Sequence, residues 1–277
     1  MKRIAQRDEM IQQCQGCHIV NDCGPEAPWL IFVHGVSQDH RIFDKQVSAF
    51  RDRYRILLID LPGHGSSSGM LGPYGVAELA NHIEECARAT GVARAVLWGT
   101  HLGATAGLWL ACRRTDLFRA QVLEAPPFPG RLLPSVSDLI SRVAQQAKKN
   151  GLQAARDLWW IEGPWFETIR QAPERCRAAT HRQIINEFQG RPWLDSGLVS
   201  SSLGDVEAAL RKLQTPIVLV NGQYDVPDFV EAAEALTETI PNCSRITVPD
   251  GGGFPSWEYP DETNSMVCDV LNAVSAS

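Results

Sequence analysis

Trp98-Gly99-Thr100-His101-Leu102-Gly103-Ala104 decides how the rest of this chain is read. The apolar run at 95–98 has the length and character of a buried strand, and the residues after the quoted stretch have those of a helix. Glycines at 99 and 103 fit a strand-to-helix turn too tight for Cβ atoms at those positions. Such a turn pushes its central residue, here His101, into a pocket at the helix N-terminus. Residues 95–112 carry no formal charge apart from a protonated His101, yet Gly99, Gly103 and Gly107 break the run. A buried strand followed by a buried helix accounts for it better than a membrane span does.

Working outward, Trp29-Leu30-Ile31-Phe32-Val33 is a short continuous apolar run, the pattern of a strand covered on both faces. Arg55-Ile56-Leu57-Leu58-Ile59-Asp60 is another, and further strands are expected at 120–123, 217–220 and 244–248. Helical spacing from about 76 to 90 ends at Gly91, which suits a C-cap. Strands alternating with helices predict an α/β fold, a mostly parallel central sheet with helices on both faces. Between about 128 and 203 the alternation gives way to a helical pattern holding four of the eight tryptophans, Trp159, Trp160, Trp165 and Trp193. The expected organisation is a core from residues 1–128 and 204–277 with a helical lid from 129–203. The lid aromatics either form its own small core or line a pocket for an apolar or aromatic ligand.

Composition narrows the function. The formal charge is -6 and no Lys/Arg cluster exists, which removes the electrostatic basis for nucleic-acid binding. The first ten residues have charges but no apolar core and no small-residue cleavage site, so a secretory signal is not expected and the cytoplasm is the default. Eight cysteines in a chain of 277 residues read as reduced thiols in small apolar sites. Cys14-Gln15-Gly16-Cys17-His18 matches the CxxCH of c-type haem attachment. That chemistry needs export and an axial-ligand pocket, whereas an N-terminal β-hairpin is expected here. The Gly63–Gly69 region lacks the spacing of a phosphate loop. A metal held by His34, His101 and Asp225 has no paired-ligand spacing such as HxxxH behind it. No metal and no cofactor are expected.

Four motifs together resemble the α/β-hydrolase superfamily over nearly the whole chain. The turn at 99–103 looks like its GxSxG nucleophile elbow, with His101 where the motif has serine. His34-Gly35-Val36-Ser37 resembles the oxyanion-hole turn, which implies that the N–H groups of Val36 and Leu102 bind an oxyanion. Asp60-Leu61-Pro62-Gly63-His64-Gly65-Ser66 looks like the DxPGxGxS loop, in which His34 and His64 are expected to hold loop geometry. Asn221-Gly222-Gln223-Tyr224-Asp225 looks like the turn presenting the triad acid, Asp225. Glu124, at the end of the preceding strand, is the alternative acid, since some members draw theirs from that place. In Gly251-Gly252-Gly253-Phe254-Pro255-Ser256-Trp257-Glu258-Tyr259-Pro260, Glu258 and Pro260 set the register that puts Gly253 at the family's histidine. A shorter stretch, Ser37-Gln38-Asp39-His40-Arg41, resembles the DHR segment of cofactor-independent 3-hydroxy-4-oxoquinoline dioxygenases.

Without the serine and the histidine, an acyl-enzyme cycle has neither nucleophile nor base. The two departures read as compensating: an imidazole at 101 needs space, and glycine at 253 supplies it. His101 is then expected to hydrogen-bond Asp225 or Glu124 and to have a raised pKa unless burial outweighs the charge. The expected pocket walls are His34, Ser37, Trp159, Trp160, Trp165, Gly253 and Phe254, around a small hydrophobic or aromatic molecule. General-base proton abstraction by a His101-Asp225 pair, with a lyase, isomerase, cyclase or cofactor-free oxygenase outcome, is the leading expectation. Its rivals are a non-catalytic binding protein and a hydrolase using base-activated water or an unforeseen nucleophile such as Ser37, Ser256 or a cysteine. Oligomeric state and substrate are not legible.

Overall fold

The computed structural model describes residues 15–195 and 200–275. Seven strands, β1 (Cys17–Val20), β2 (Trp29–Val33), β3 (Arg55–Ile59), β4 (Ala95–Thr100), β5 (Phe118–Glu124), β6 (Ile217–Gly222) and β7 (Cys243–Val248), form one sheet in the order β1-β3-β2-β4-β5-β6-β7. All neighbours run parallel except β1 against β3. Every residue of β2, β4 and β6 is buried, as a parallel sheet covered by helices on both faces requires. Among the described residues the expected N-terminal hairpin is not present. β1 skips β2 and pairs with β3, His18 opposite Leu58, because β2 already has β3 and β4 on its two edges. Cys14 of the CxxCH stretch lies outside the described residues.

Helix α1 (Asp44–Phe50) follows β2, and α2 (Val76–Thr90) follows β3 and ends at Gly91, whose φ of 72° is the left-handed cap read from the sequence. Helix α3 (His101–Arg113) is buried along most of its length and rich in small residues. A Cβ at Gly103 would lie 2.3 Å from the His34 carbonyl oxygen. That close approach seats α3 against β2 and carries His101 to the carboxyl end of the sheet. Between β5 and β6 the chain runs through α4 (Pro134–Asn150), α5 (Leu152–Glu162), α6 (Glu167–Gln171), α7 (Ala178–Glu187), α8 (Arg191–Leu194) and α9 (Val206–Arg211). Helices α10 (Pro227–Thr239), α11 (Pro255–Glu258) and α12 (Pro260–Ser275) complete the core. Among the described residues no helix is long and apolar enough to cross a membrane.

Candidate functional site

The residue at the summit of the β4–α3 turn is His101, with φ of 46°. A left-handed conformation at a residue with a Cβ is a strained feature that the surrounding structure must impose. Here it aims the imidazole over the carboxyl ends of the strands. Ring nitrogen Nε2 lies 2.8 Å from the carbonyl oxygen of Gly253. A carbonyl only accepts, so Nε2 carries the proton and Nδ1 keeps the lone pair. Phe229, in the first turn of α10, stacks on the ring at 4.9 Å between centroids and 13° between planes, and Phe254 sits at 4.5 Å. Burial holds the imidazole down to about 4, the Gly253 carbonyl pulling weakly the other way. His101 is therefore neutral near pH 7.

This corrects the expected dyad. Neither carboxylate meets His101. Asp225 turns its Oδ2 to the Asn221 side-chain amide at 2.9 Å and its Oδ1 to the Val226 N–H at 2.7 Å. Glu124 accepts from the Ser256 N–H at 3.4 Å, while its second oxygen is buried without a partner among the described residues. Both are driven toward the protonated form by burial, Asp225 to about 7 and Glu124 to about 8. A charge-supported base would instead need an ionised carboxylate beside the ring.

The volume compensation is corrected as well. His101 does rest on the Gly253 turn, but the point from which a residue-253 side chain would start is taken by Trp165. A Cβ there would lie 2.6 Å from Trp165 Cβ, 2.7 Å from its Cα and 2.8 Å from its carbonyl oxygen. The helical segment between β5 and β6, not the imidazole, has moved into that space. Two N–H groups of the turn, Gly252 and Phe254, are held by the buried Glu258 carboxylate.

A cavity of about 280 Å³ opens beside His101, and its walls are largely apolar, with His101, Thr105, Arg131 and Ser137 among them. Val36 and Leu102 both line it. Leu102 lies in the first turn of α3, where N–H groups have no intrahelical acceptor, and among the described residues no protein acceptor is assigned to the Val36 N–H. Of the walls expected from the sequence, Trp159, Trp165 and Phe254 line the cavity and His34, Ser37, Trp160 and Gly253 do not. His34 is instead a buried clamp, donating from Nδ1 to the Gly35 carbonyl at 2.7 Å and accepting the Leu61 N–H at 3.0 Å. Ser37 accepts from Trp159 Nε1 at 2.7 Å, tying the helical segment to the oxyanion-type turn. Trp160 packs one layer further out, against Phe166. Gly253 contributes only its carbonyl.

The sequence reading missed Phe229, Thr105 and the wall from Pro127 to Ile140. Phe229 lies near the start of a helix four residues after Asp225, and apolar spacing does not distinguish a ring that faces a cavity from one that faces a core. Thr105 is held by the Pro127 carbonyl at 2.8 Å. Among the described residues one cation lines the cavity, Arg131, which lies over the Phe128 ring and 3.5 Å from Glu207.

Comparison with known proteins agrees with this fold. A family model described as the alpha/beta hydrolase fold matches residues 28–260. Among curated relatives, 3-oxoadipate enol-lactonase 2 of Acinetobacter baylyi is 24% identical over 258 residues, covering 89% of each chain. A 2-succinyl-6-hydroxy-2,4-cyclohexadiene-1-carboxylate synthase of an Enterobacter species is 25% identical, with 89% of this chain and 93% of that one covered. Among solved structures, MenH from S. aureus superposes with a TM-score of 0.81 at 19% identity, covering 94% of this chain and 99% of the other.

Proposed function

This chain belongs to the α/β-hydrolase fold family, and from that premise we propose that its cavity binds a small, uncharged, largely apolar molecule through a carbonyl or hydroxyl oxygen, without an acyl-enzyme step. One observation carries the reading. At the summit of the β4–α3 turn, which we read as the place of the nucleophile, stands an imidazole whose N–H is spent on the Gly253 carbonyl and which no carboxylate among the described residues supports. Hydrolysis through an activated serine has no starting point there. Binding, by contrast, keeps its equipment: an apolar cavity and two candidate N–H donors at Val36 and Leu102.

The ionisation of the site supports an uncharged occupant. His101, Asp225 and Glu124 are all pushed by burial toward their neutral forms, and Arg131 is already beside Glu207. An anionic ligand would be buried without compensation, which costs several kcal/mol, on the order of 3–5. Two relatives carry acids in their printed names, an enol-lactone of 3-oxoadipate and a cyclohexadiene carboxylate. The cavity here favours ligands without that charge.

Calorimetric titration of the full chain with a panel of neutral lactones, aromatic ketones and phenols tests this, each paired with its carboxylate analogue. Saturable binding of neutral members, unturned-over and at least about tenfold tighter than the acid partner, is expected. Preferential binding of the acids, or turnover of a lactone, would sink the reading.

A second reading rests on Nδ1. With Nε2–H committed, Nδ1 is a bare lone pair on a cavity-lining ring that is neutral above about pH 4. It can take a proton from an acidic C–H or O–H bond. Deuterium incorporation into a bound ketone in D2O, lost in His101→Gln, distinguishes this from binding alone.

A further inference from the structure

We propose that His18, His40 and Asp60 form a binding site for one divalent cation of the zinc class, separate from the apolar cavity. His18 comes from β1, His40 opens a short 3-10 turn (His40–Phe43), and Asp60 follows β3. The antiparallel pairing of β1 with β3 brings His18 beside the Asp60 loop. His18 Nε2 lies 3.0 Å from Asp60 Oδ2, and His40 Nδ1 lies 3.0 and 3.1 Å from the two carboxylate oxygens. The two imidazoles stack at 3.8 Å between centroids.

Three ligand atoms, one from each residue, fall within 4.8 Å of one another. Zinc bonds of about 2.0–2.1 Å hold tetrahedral ligand atoms roughly 3.3 Å apart. Two of the separations already have nearly that size, and both histidines are half-buried, so their rings can adjust.

The carboxylate is also over-supplied with donors. Besides the two rings it accepts from the His40 N–H at 2.8 Å, the Ser66 N–H at 2.9 Å and the Ser66 hydroxyl at 2.7 Å. That makes five donors on a group with about four lone-pair sites. A cation shared by the two ring nitrogens and one carboxylate oxygen replaces two of these donors. The remaining three become the outer support that metal-binding carboxylates require.

The neighbourhood sets the ligand chemistry. Imidazole with carboxylate suits zinc, copper or nickel better than magnesium or calcium. Cys17, one residue before His18 on β1, faces the opposite side of the sheet by strand alternation, leaving a two-nitrogen, one-oxygen set. His34 also approaches Asp60, at 3.9 Å, but its Nε2 accepts the Leu61 N–H. The nearby Arg41 is paired with Asp39 and Glu187, so its charge is balanced. A second cavity of about 290 Å³, lined by His40, Gly65 and Ser66 among others, opens beside the cluster.

The test uses the full chain, stripped with EDTA and titrated with Zn2+ by calorimetry, with Co2+ as a spectroscopic probe. One ion per chain is expected, unchanged in Cys17→Ser. His18→Asn and His40→Gln should each weaken binding by at least about tenfold while their metal-free melting temperatures stay close to that of the parent. Bound Co2+ should show visible d–d bands without a thiolate charge-transfer band. Undiminished binding in the His18→Asn/His40→Gln double variant, a thiolate band on Co2+, or no saturable Zn2+ binding would each overturn the proposal.

Discussion

The Nε2–H of His101 donates to the carbonyl of Gly253 across 2.8 Å, so the summit of the β4–α3 turn and the glycine-rich turn after β7 are joined to each other. The bond runs from side chain to backbone. It fixes the tautomer without adding charge, and it leaves Asp225 bound within its own loop and Glu124 to the Ser256 N–H.

Among the described residues no serine is paired with a base beside the cavity, so the protein should resist fluorophosphonate labelling and turn over p-nitrophenyl esters negligibly. Ser37 is buried and spends its oxygen on Trp159, and Ser256 is buried in α11. Intact-mass analysis after probe treatment should show unmodified chain. Stoichiometric adduct on either serine contradicts the site described.

Glycine at 253 is required by Trp165 and not by His101. Gly253→Ala should lower the unfolding free energy by about 1–3 kcal/mol, the usual cost of overpacking, since backbone atoms of Trp165 lie in the way. Gly253→His should be worse, and adding His101→Ser should not rescue it. Urea unfolding of the three variants decides the matter: recovery in the double variant would mean that positions 101 and 253 share one volume.

The imidazole of His101 should titrate near pH 4, burial being the main cause. Its folded pKa lies below the unfolded value near 6.5, so the unfolded chain binds the extra proton between those values. The His101 contribution to stability is therefore complete above pH 6.5 and is lost as pH falls toward 4. Asp225→Asn should leave the midpoint unmoved to within about half a unit, because the two side chains do not touch. Two-dimensional NMR of the ring protons measures it; a midpoint above 6.5, or one that drops by about a unit or more in the variant, indicates an ion pair after all.

Ser37→Ala removes the acceptor of the Trp159 indole and leaves a buried N–H unpaired. A loss of about 1–3 kcal/mol is expected, with faster hydrogen exchange in Leu152–Glu162, the helix that carries Trp159. Unchanged exchange in that helix would mean that packing alone anchors it.

Local signals in the sequence determined the fold: continuous apolar runs at 29–33, 55–59 and 95–98, helical spacing closed by Gly91, and glycines at 99 and 103 where neighbouring backbone leaves no room for a Cβ. Each depends on residues within a few positions of one another or on one unavoidable close contact. The strand exchange that pairs β1 with β3 was not among them, because an edge strand is defined by which neighbour is still free. At the site, the place of His101 at the summit of a strand-to-helix turn was legible, and what His101 would touch was not. That choice lay between partners far apart in the chain, Gly253 being 152 residues away, and it was decided by small differences in ring direction. Ionisation was likewise decided by burial. His101, Asp225 and Glu124 have ordinary pKa values as side-chain types, and only the packed structure, by surrounding all three with protein, sets them toward neutrality.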